Sequence, residues 1–370
     1  MIRKWNLVNK DWFLNANPSL WFVLVYMAMM SFIVFVFRDR FNFEGFNLFT
    51  FIWTYLALLI VHTLLNSKRY VLLWRYNKYE IIKSYLHATY QYAPYFLIAI
   101  VYEHIFLYRD AFSHSFQLMD KTFMQWDSAM FGVQPTIWLE KLLHPIAVEY
   151  FMLAYVLFIV YPYFYLVYLY QKNKLSVFHK AMLAQVISLI VALTCFITLP
   201  AMGPRATIKV DNLKHQNNSE MLYYSKSLKG VQIDFLEEWT GKPSLFQLQY
   251  DMWNQIERIK TDCMPSMHTC LCLIVLFYAV RYRRFFKYRK ISMWFWLVGN
   301  ISLIFSTVYL RYHWVVDVIA GIVLAVIAYY LTEIFYKYWL KRRFKNKLIE
   351  PQVEWLQRVD ALRGSSHNEL

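Results

Sequence analysis

Eight stretches of the chain are nearly uninterrupted apolar sequence, at roughly residues 19–37, 46–65, 85–104, 147–170, 181–199, 264–280, 291–310 and 314–336. Each approaches the about 20 residues that an α-helix needs to cross about 30 Å of hydrocarbon. The pattern therefore predicts an all-α fold: a polytopic membrane helix bundle of about eight spans. The third run is the weakest, because it holds His87, Gln91, Pro94 and Glu103, and the eighth carries Asp317 and Glu333. No small-residue cleavage site follows the first run. It reads as an uncleaved anchor preceded by a short interfacial segment, WNLVNKDWFL, at 5–14.

The polar residue types left over fix an orientation. With the N-terminus in the cytoplasm, the inner segments carry 25 of the 39 Lys and Arg residues, and the short outer loops carry six. The remaining eight lie in one long outer loop, 201–262, and long loops are weak orientation signals. Both termini are thus expected in the cytoplasm. The net charge of +15 then reads as juxtamembrane anchoring against anionic lipid, with no nucleic-acid partner. A composition that is 59% hydrophobic and 20% aromatic also excludes an ordinary soluble domain. The chain divides into three N-terminal spans (1–108), a membrane domain carrying the chemistry (109–340) and a basic cytoplasmic tail (341–370).

Counting spans brings three polar motifs to the outer face. LPAMGPRATI with Arg205 ends the fifth span, MPSMH with Ser266 and His268 begins the sixth, and STVYLRYHWVVDVIAG with Arg311, His313 and Asp317 joins the seventh to the eighth. Taken singly, each has a plain reading. Pro265 and Ser266 suit a helix start, the arginines suit an interface, and His313 and Asp317, four apart, suit a local side-chain pair. Taken together, they form a reactive set. A histidine oriented by a carboxylate has one ring nitrogen free to attack, and a second histidine can protonate a leaving oxygen. Arginine forks and the N–H groups at a helix start bind phosphate oxygens. The set suits phosphoryl transfer, and no cofactor or cluster of metal-binding carboxylates accompanies it.

Pro265-Ser266-Met267-His268, followed by a span and by His313-x-x-x-Asp317 leading into Gly321, resembles the type 2 phosphatidic acid phosphatase superfamily. GPR at 203–205, the stretch 306–321 and DKTFMQWDSAMFGVQP at 120–135 are more similar to its branch with inositol phosphorylceramide synthase (the aureobasidin-resistance protein) and bacterial relatives. The resemblance implies that His313 forms a phospho-histidine intermediate, Asp317 orients it, and His268 is the acid for the leaving group. It implies phosphate binding by Arg205, Ser266 and Arg311. Two places depart from the commonest superfamily pattern: Thr307 stands where an arginine is usual and Thr198 where a lysine is usual. The expected activity is a membrane lipid phosphotransferase, passing a phospho-head group from a lipid donor to a lipid or sugar hydroxyl. A lipid phosphate phosphatase with water as acceptor is the alternative, and a proton-relay transporter is the reading from another class.

Three features stay open. Residues 206–262 form either a plain cover over the site or a lid of short amphipathic helices. Asp120 and Asp127 are candidate contacts for a head group or acceptor, or else cap an interfacial helix. Cys195, Cys263, Cys270 and Cys272 have no metal-site spacing and read as packing residues.

Overall fold

The computed structural model describes residues 17–43, scattered positions between 56 and 64, residues 66–76, 78–210, 223–225 and 261–343. The N-terminal interfacial segment, most of the run at 46–65, nearly all of the long outer loop and the end of the basic tail lie outside them.

Among the described residues the fold is helical. The N-terminal part contains α1 (Ser19–Val36), α2 (Ser67–Tyr76), α3 (Lys78–Glu103) and α4 (Ile105–Ala111). Next come α5 (Asp120–Phe131), the one-turn α6 (Pro135–Trp138), α7 (Pro145–Val156), α8 (Tyr161–Gln171), α9 (Leu175–Thr198) and the one-turn α10 (Pro204–Thr207). The last three are α11 (Met267–Arg281), α12 (Arg289–Tyr309) and α13 (Val315–Arg343). Two three-residue strands, Ile208–Val210 and Tyr223–Ser225, pair in parallel at the mouth of the long loop.

Among the described residues, four helices are long and apolar enough to cross a membrane: Ser19–Val36, Leu175–Thr198, Arg289–Tyr309 and Val315–Trp339. They become five if α7 and α8, bent by 49° to one another, make a single broken span. The bend has a local cause. Pro162 sits at the start of α8; it has no N–H to donate, and its ring crowds the carbonyl four residues back. The remaining three runs of the eight-span pattern fall short for separate reasons. The run at 46–65 is mostly undescribed. α3 has the length but carries polar residues. α11 is apolar but has 15 residues, about 22 Å of helix.

The core is built around α9, which packs against α1, α3, α8, α11 and α13, while α12 lies between α11 and α7. Several polar residues inside this bundle are paired, which lowers the cost of placing them in a low-dielectric interior. The polar residues that interrupt the third apolar run take part: Gln91 Oε1 accepts from His179 Nε2 at 2.7 Å, and His87 Nδ1 meets Tyr170 OH at 2.7 Å. By contrast, Phe35, Leu86, Ile291, Trp294, Ile301 and Ile334 point outward and are more than half exposed. Such an apolar belt would be a liability in water. It suits contact with lipid chains, consistent with a multi-pass membrane protein.

Candidate active site

Three loops converge at one end of the bundle. The residues leading into α11 begin with Cys263, pass the cis Met264–Pro265 bond and reach Ser266, the N-cap. The Ser266 hydroxyl accepts from Thr269 N at 3.4 Å and from Thr269 Oγ1 at 3.2 Å. Capping fixes the first turn of α11 and so the position of His268.

Between α12 and α13 the chain reverses in five residues. Thr307 O takes both Tyr312 N (2.8 Å) and His313 N (3.0 Å), and Arg311 adopts φ +62° to make the reversal. His313 then faces His268 across the gap, with Nε2 to Nδ1 at 3.1 Å. Thr307, where the commoner pattern has an arginine, thus shapes the turn through its backbone.

Asp317 occupies the third position of α13. Its Oδ2 reaches back to Trp314 N at 3.0 Å, the carboxylate half of a capping box. Its backbone carbonyl accepts Ser266 N at 3.0 Å, which ties the two histidine-bearing loops together. Gly321, one turn on, permits that approach, since a Cβ there would meet Ser266 O at 2.5 Å.

The His313–Asp317 pair is less direct than an i,i+4 spacing suggests. Nδ1 and Oδ2 are 3.6 Å apart, too long for a good hydrogen bond. Cys263 Sγ lies beside both, donating to Asp317 Oδ2 at 2.7 Å and meeting His313 Nδ1 at 3.2 Å. Cys270 and Cys272 are buried within α11 and the half-buried Cys195 lies in α9, so three cysteines pack as expected. Cys263 corrects that reading, because its thiol is a polar member of the site.

The Cys263, His313 and Asp317 ligand atoms all lie within 4.8 Å of one another, and such a trio can hold a metal ion. Tetrahedral zinc, with bonds of about 2.0–2.3 Å, would set its sulfur and oxygen ligands about 3.5 Å apart. The observed 2.7 Å is instead an S–H···O contact. Burial, helped by the Asp317 charge, pushes the Cys263 thiol well above its usual range.

Arg205 arrives from the third loop. Gly203, at φ +85°, lies so close to Tyr312 O that a Cβ would meet it at 2.4 Å. Arg205 N donates to Arg311 O at 2.7 Å, and the guanidinium covers the Tyr312 ring at 4.7 Å while Nη1 donates to Tyr312 OH. Tyr312 stacks on Tyr155 with ring centres 3.9 Å apart. Tyr155 and Phe158 in turn lie 4.5 and 4.1 Å from the His268 ring. Tyr155 lies in the last turn of α7 and Phe158 in the α7–α8 break, and a row of aromatic rings connects the arginine to one histidine.

Asp120 and Asp127, the candidate acceptor contacts, are buried and turned inward. Asp120 accepts from Met202 N (2.9 Å), Gly203 N (2.8 Å) and Trp314 Nε1 (3.0 Å). Asp127 accepts from Val315 N (2.8 Å) and Val316 N (2.9 Å), capping α13 from a neighbouring helix. Burial raises both carboxyls, Asp127 to about 6.

The sequence-predicted residues Arg205, Ser266, His268, His313 and Asp317 therefore meet at one place, and the Arg311 backbone forms the turn that leads into it. A family model described as the PAP2 superfamily matches residues 121–331, more than half of the chain. The chain belongs to the PAP2 superfamily. No curated protein and no solved structure matches it. Members of the PAP2 superfamily are usually phosphatases or phosphotransferases, which supports an enzyme of that type. The match covers all three convergent loops and does not divide the superfamily into branches.

Sequence reasoning does not single out Tyr155, Phe158 or Tyr312, and it reads Cys263 as packing. Tyr312 and Cys263 adjoin the motifs in sequence and could have been flagged on that ground. Tyr155 and Phe158 carry no local signal, because only the α7–α8 bend relates them to His268.

Proposed function

We propose that this protein is an integral membrane lipid phosphotransferase working through a phospho-histidine, of the inositol phosphorylceramide synthase-like branch. The observation that carries the reading is the facing pair of histidines, His313 Nε2 and His268 Nδ1 at 3.1 Å, held on two loops that are tied together. A phospho-head group entering between them would find a nucleophile on one side and a proton donor on the other.

In this scheme His313 Nε2 attacks phosphorus and the bond to the donor lipid's oxygen breaks. His268 gives that oxygen its proton and becomes neutral. The acceptor hydroxyl then attacks the phospho-histidine, passes its proton to His268 and releases His313. Asp317 steadies the imidazolium; its Oδ1 is buried and has no hydrogen-bond donor, so a small ring rotation of His313 gives it one. Arg205 and Arg311 neutralise the phosphate oxygens. The Ser266 hydroxyl already accepts two bonds and has its own proton to donate. No metal enters the scheme. Asp120 and Asp127 are positioning residues, holding loops in place without touching the head group. The eight-span arrangement, with cytoplasmic termini and an extracytoplasmic site, completes the reading.

The test is a purified-enzyme assay with radiolabelled phospholipid donor, paired with lipid profiling by mass spectrometry. The wild type should form an acid-labile labelled protein and a new phospholipid. His313→Ala should form neither while remaining inserted in the membrane. Near-normal turnover by His313→Ala would sink the mechanism. A dephosphorylated lipid as the sole product would replace transfer by hydrolysis, which shares the first half-reaction.

A further inference from the structure

At the opposite end of the bundle lies a groove that the chemistry above does not use. α11 runs from the histidines to Arg281, and α12 starts at Arg289 and returns. Their remote ends lie about 20–30 Å from the site at the helical rise of about 1.5 Å per residue. There the two helices leave a groove of about 410 Å³, lined by Leu276, Val280, Met293, Trp294 and Leu297, with Arg283, Arg289 and Lys290 at its rim.

We propose that this groove binds an anionic glycerophospholipid, with an acyl chain against the apolar wall and the phosphate among the rim cations. Three observations converge on that occupant. First, the wall is apolar and continuous with the lipid-facing belt, since Trp294 and the neighbouring Ile291 and Phe295 are all more than half exposed. A water-soluble anion would gain nothing from that wall.

Second, the charge is one-sided. The segment RYRRFFKYRK at 281–290 holds six cations and no carboxylate. The nearby Glu333 is already engaged by Lys180 at 2.9 Å and by Arg281 at 3.2 Å, so the rim cations face no acidic side chain on the lining elements. Third, the rim and wall have the vertical order of a lipid. The cations cluster in the turn between the helices and at the start of α12, and the apolar residues lie further along both helices, where acyl chains would run.

Each juxtamembrane cation contributes on the order of 1 kcal/mol towards an anionic surface. Three converging on one phosphate therefore favour an anionic over a zwitterionic lipid by far more than tenfold if all engage, and by several-fold if one does. The site is independent of the catalytic reading and would persist if that reading failed.

The experiment uses the full chain in nanodiscs of phosphatidylcholine doped with phosphatidylglycerol that carries a photoreactive acyl chain. Phosphatidylcholine with the same chain is the comparison, and crosslinked peptides are mapped by mass spectrometry. Phosphatidylglycerol should label the peptides spanning 276–297 at least threefold more than phosphatidylcholine. Arg283→Gln/Arg289→Gln/Lys290→Gln should remove the preference, and His313→Ala should retain it, which separates this groove from capture at the histidines. Equal labelling by both probes, or an undiminished preference in the triple variant, would overturn the proposal. Should the triple variant fail to insert, Arg289→Gln alone must lower the preference by at least half, and Leu297→Trp, which fills the groove and keeps the charge, must abolish it.

Discussion

Arg205 holds its position through three separate contacts: a backbone bond to Arg311, a hydroxyl bond to Tyr312 and a face-on contact with the Tyr312 ring. A lysine keeps the charge but presents a point donor with neither the fork nor the flat face. If the fork grips phosphate, Arg205→Lys should lower kcat/KM by about 30-fold or more, the equivalent of one charge-assisted hydrogen bond of about 2 kcal/mol. Steady-state kinetics on purified protein measure this, and an unchanged kcat/KM would remove Arg205 from phosphate binding. Asp127 offers a pH-dependent counterpart. Its carboxyl is raised to about 6 in the fold, chiefly by burial, against about 4 in an unfolded chain. A raised carboxyl favours the folded state most below about pH 4, and the benefit is lost as pH rises through 6. The Tm of the wild type relative to Asp127→Asn should therefore fall between pH 5 and pH 7. A pH-independent difference would show that Asp127 does not titrate there.

At the scale of elements, the α11–α13 contact sets the distance between the histidines. Gly321 faces Ser266 O and Thr269 Cβ, so a methyl group at 321 must push the helices apart. Overpacking of this kind costs about 1–3 kcal/mol. Gly321→Ala should therefore lower Tm modestly but kcat by about tenfold or more, because it widens the His268–His313 gap; thermal melts and kinetics on the same preparation separate the two effects. A loss of stability with full activity would show that the gap tolerates expansion. The motifs around these helices were legible because each is local: a helix start at Pro265 and Ser266, and an i,i+4 pair at His313 and Asp317. Counting apolar runs then carried them to one end. Asp120, Asp127, Tyr155 and Phe158 act across helix boundaries, and no spacing rule relates α5 to the start of α13 or the α7–α8 bend to α11. Cys263 was misread for a related reason: its partners lie 50 and 54 positions away, and without them a lone cysteine looks like a small apolar residue.

For the whole molecule, the bundle has a chemical end and a charged end. At the latter, Lys180, Glu333 and Arg281 join α9, α13 and α11. Glu333→Gln leaves two cations against apolar surroundings and should destabilise by roughly 1–3 kcal/mol, below the 3–5 typical of fully buried pairs because Arg281 is half exposed. Pairing it with Lys180→Met should recover most of that loss in a thermal melt; no recovery would mean the lysine serves another partner. The eight-span reading remains the proposal for topology, since the helices described support four or five spans by length and apolarity. Single cysteines at 207 and at 288 should be labelled by a membrane-impermeant reagent from opposite sides, and labelling from the same side would overturn the topology.

Asp120 gives the histidine end of the bundle a property that no pairwise contact conveys. One carboxylate holds Met202 and Gly203 on the arginine loop and Trp314 beside His313. The two loops therefore share a hinge pin, and a substrate that draws Arg205 outward must also pull on the backbone next to His313. If Arg205 grips phosphate and His313 is the nucleophile, as proposed, grip and readiness become linked equilibria, each shifting the other by the same factor.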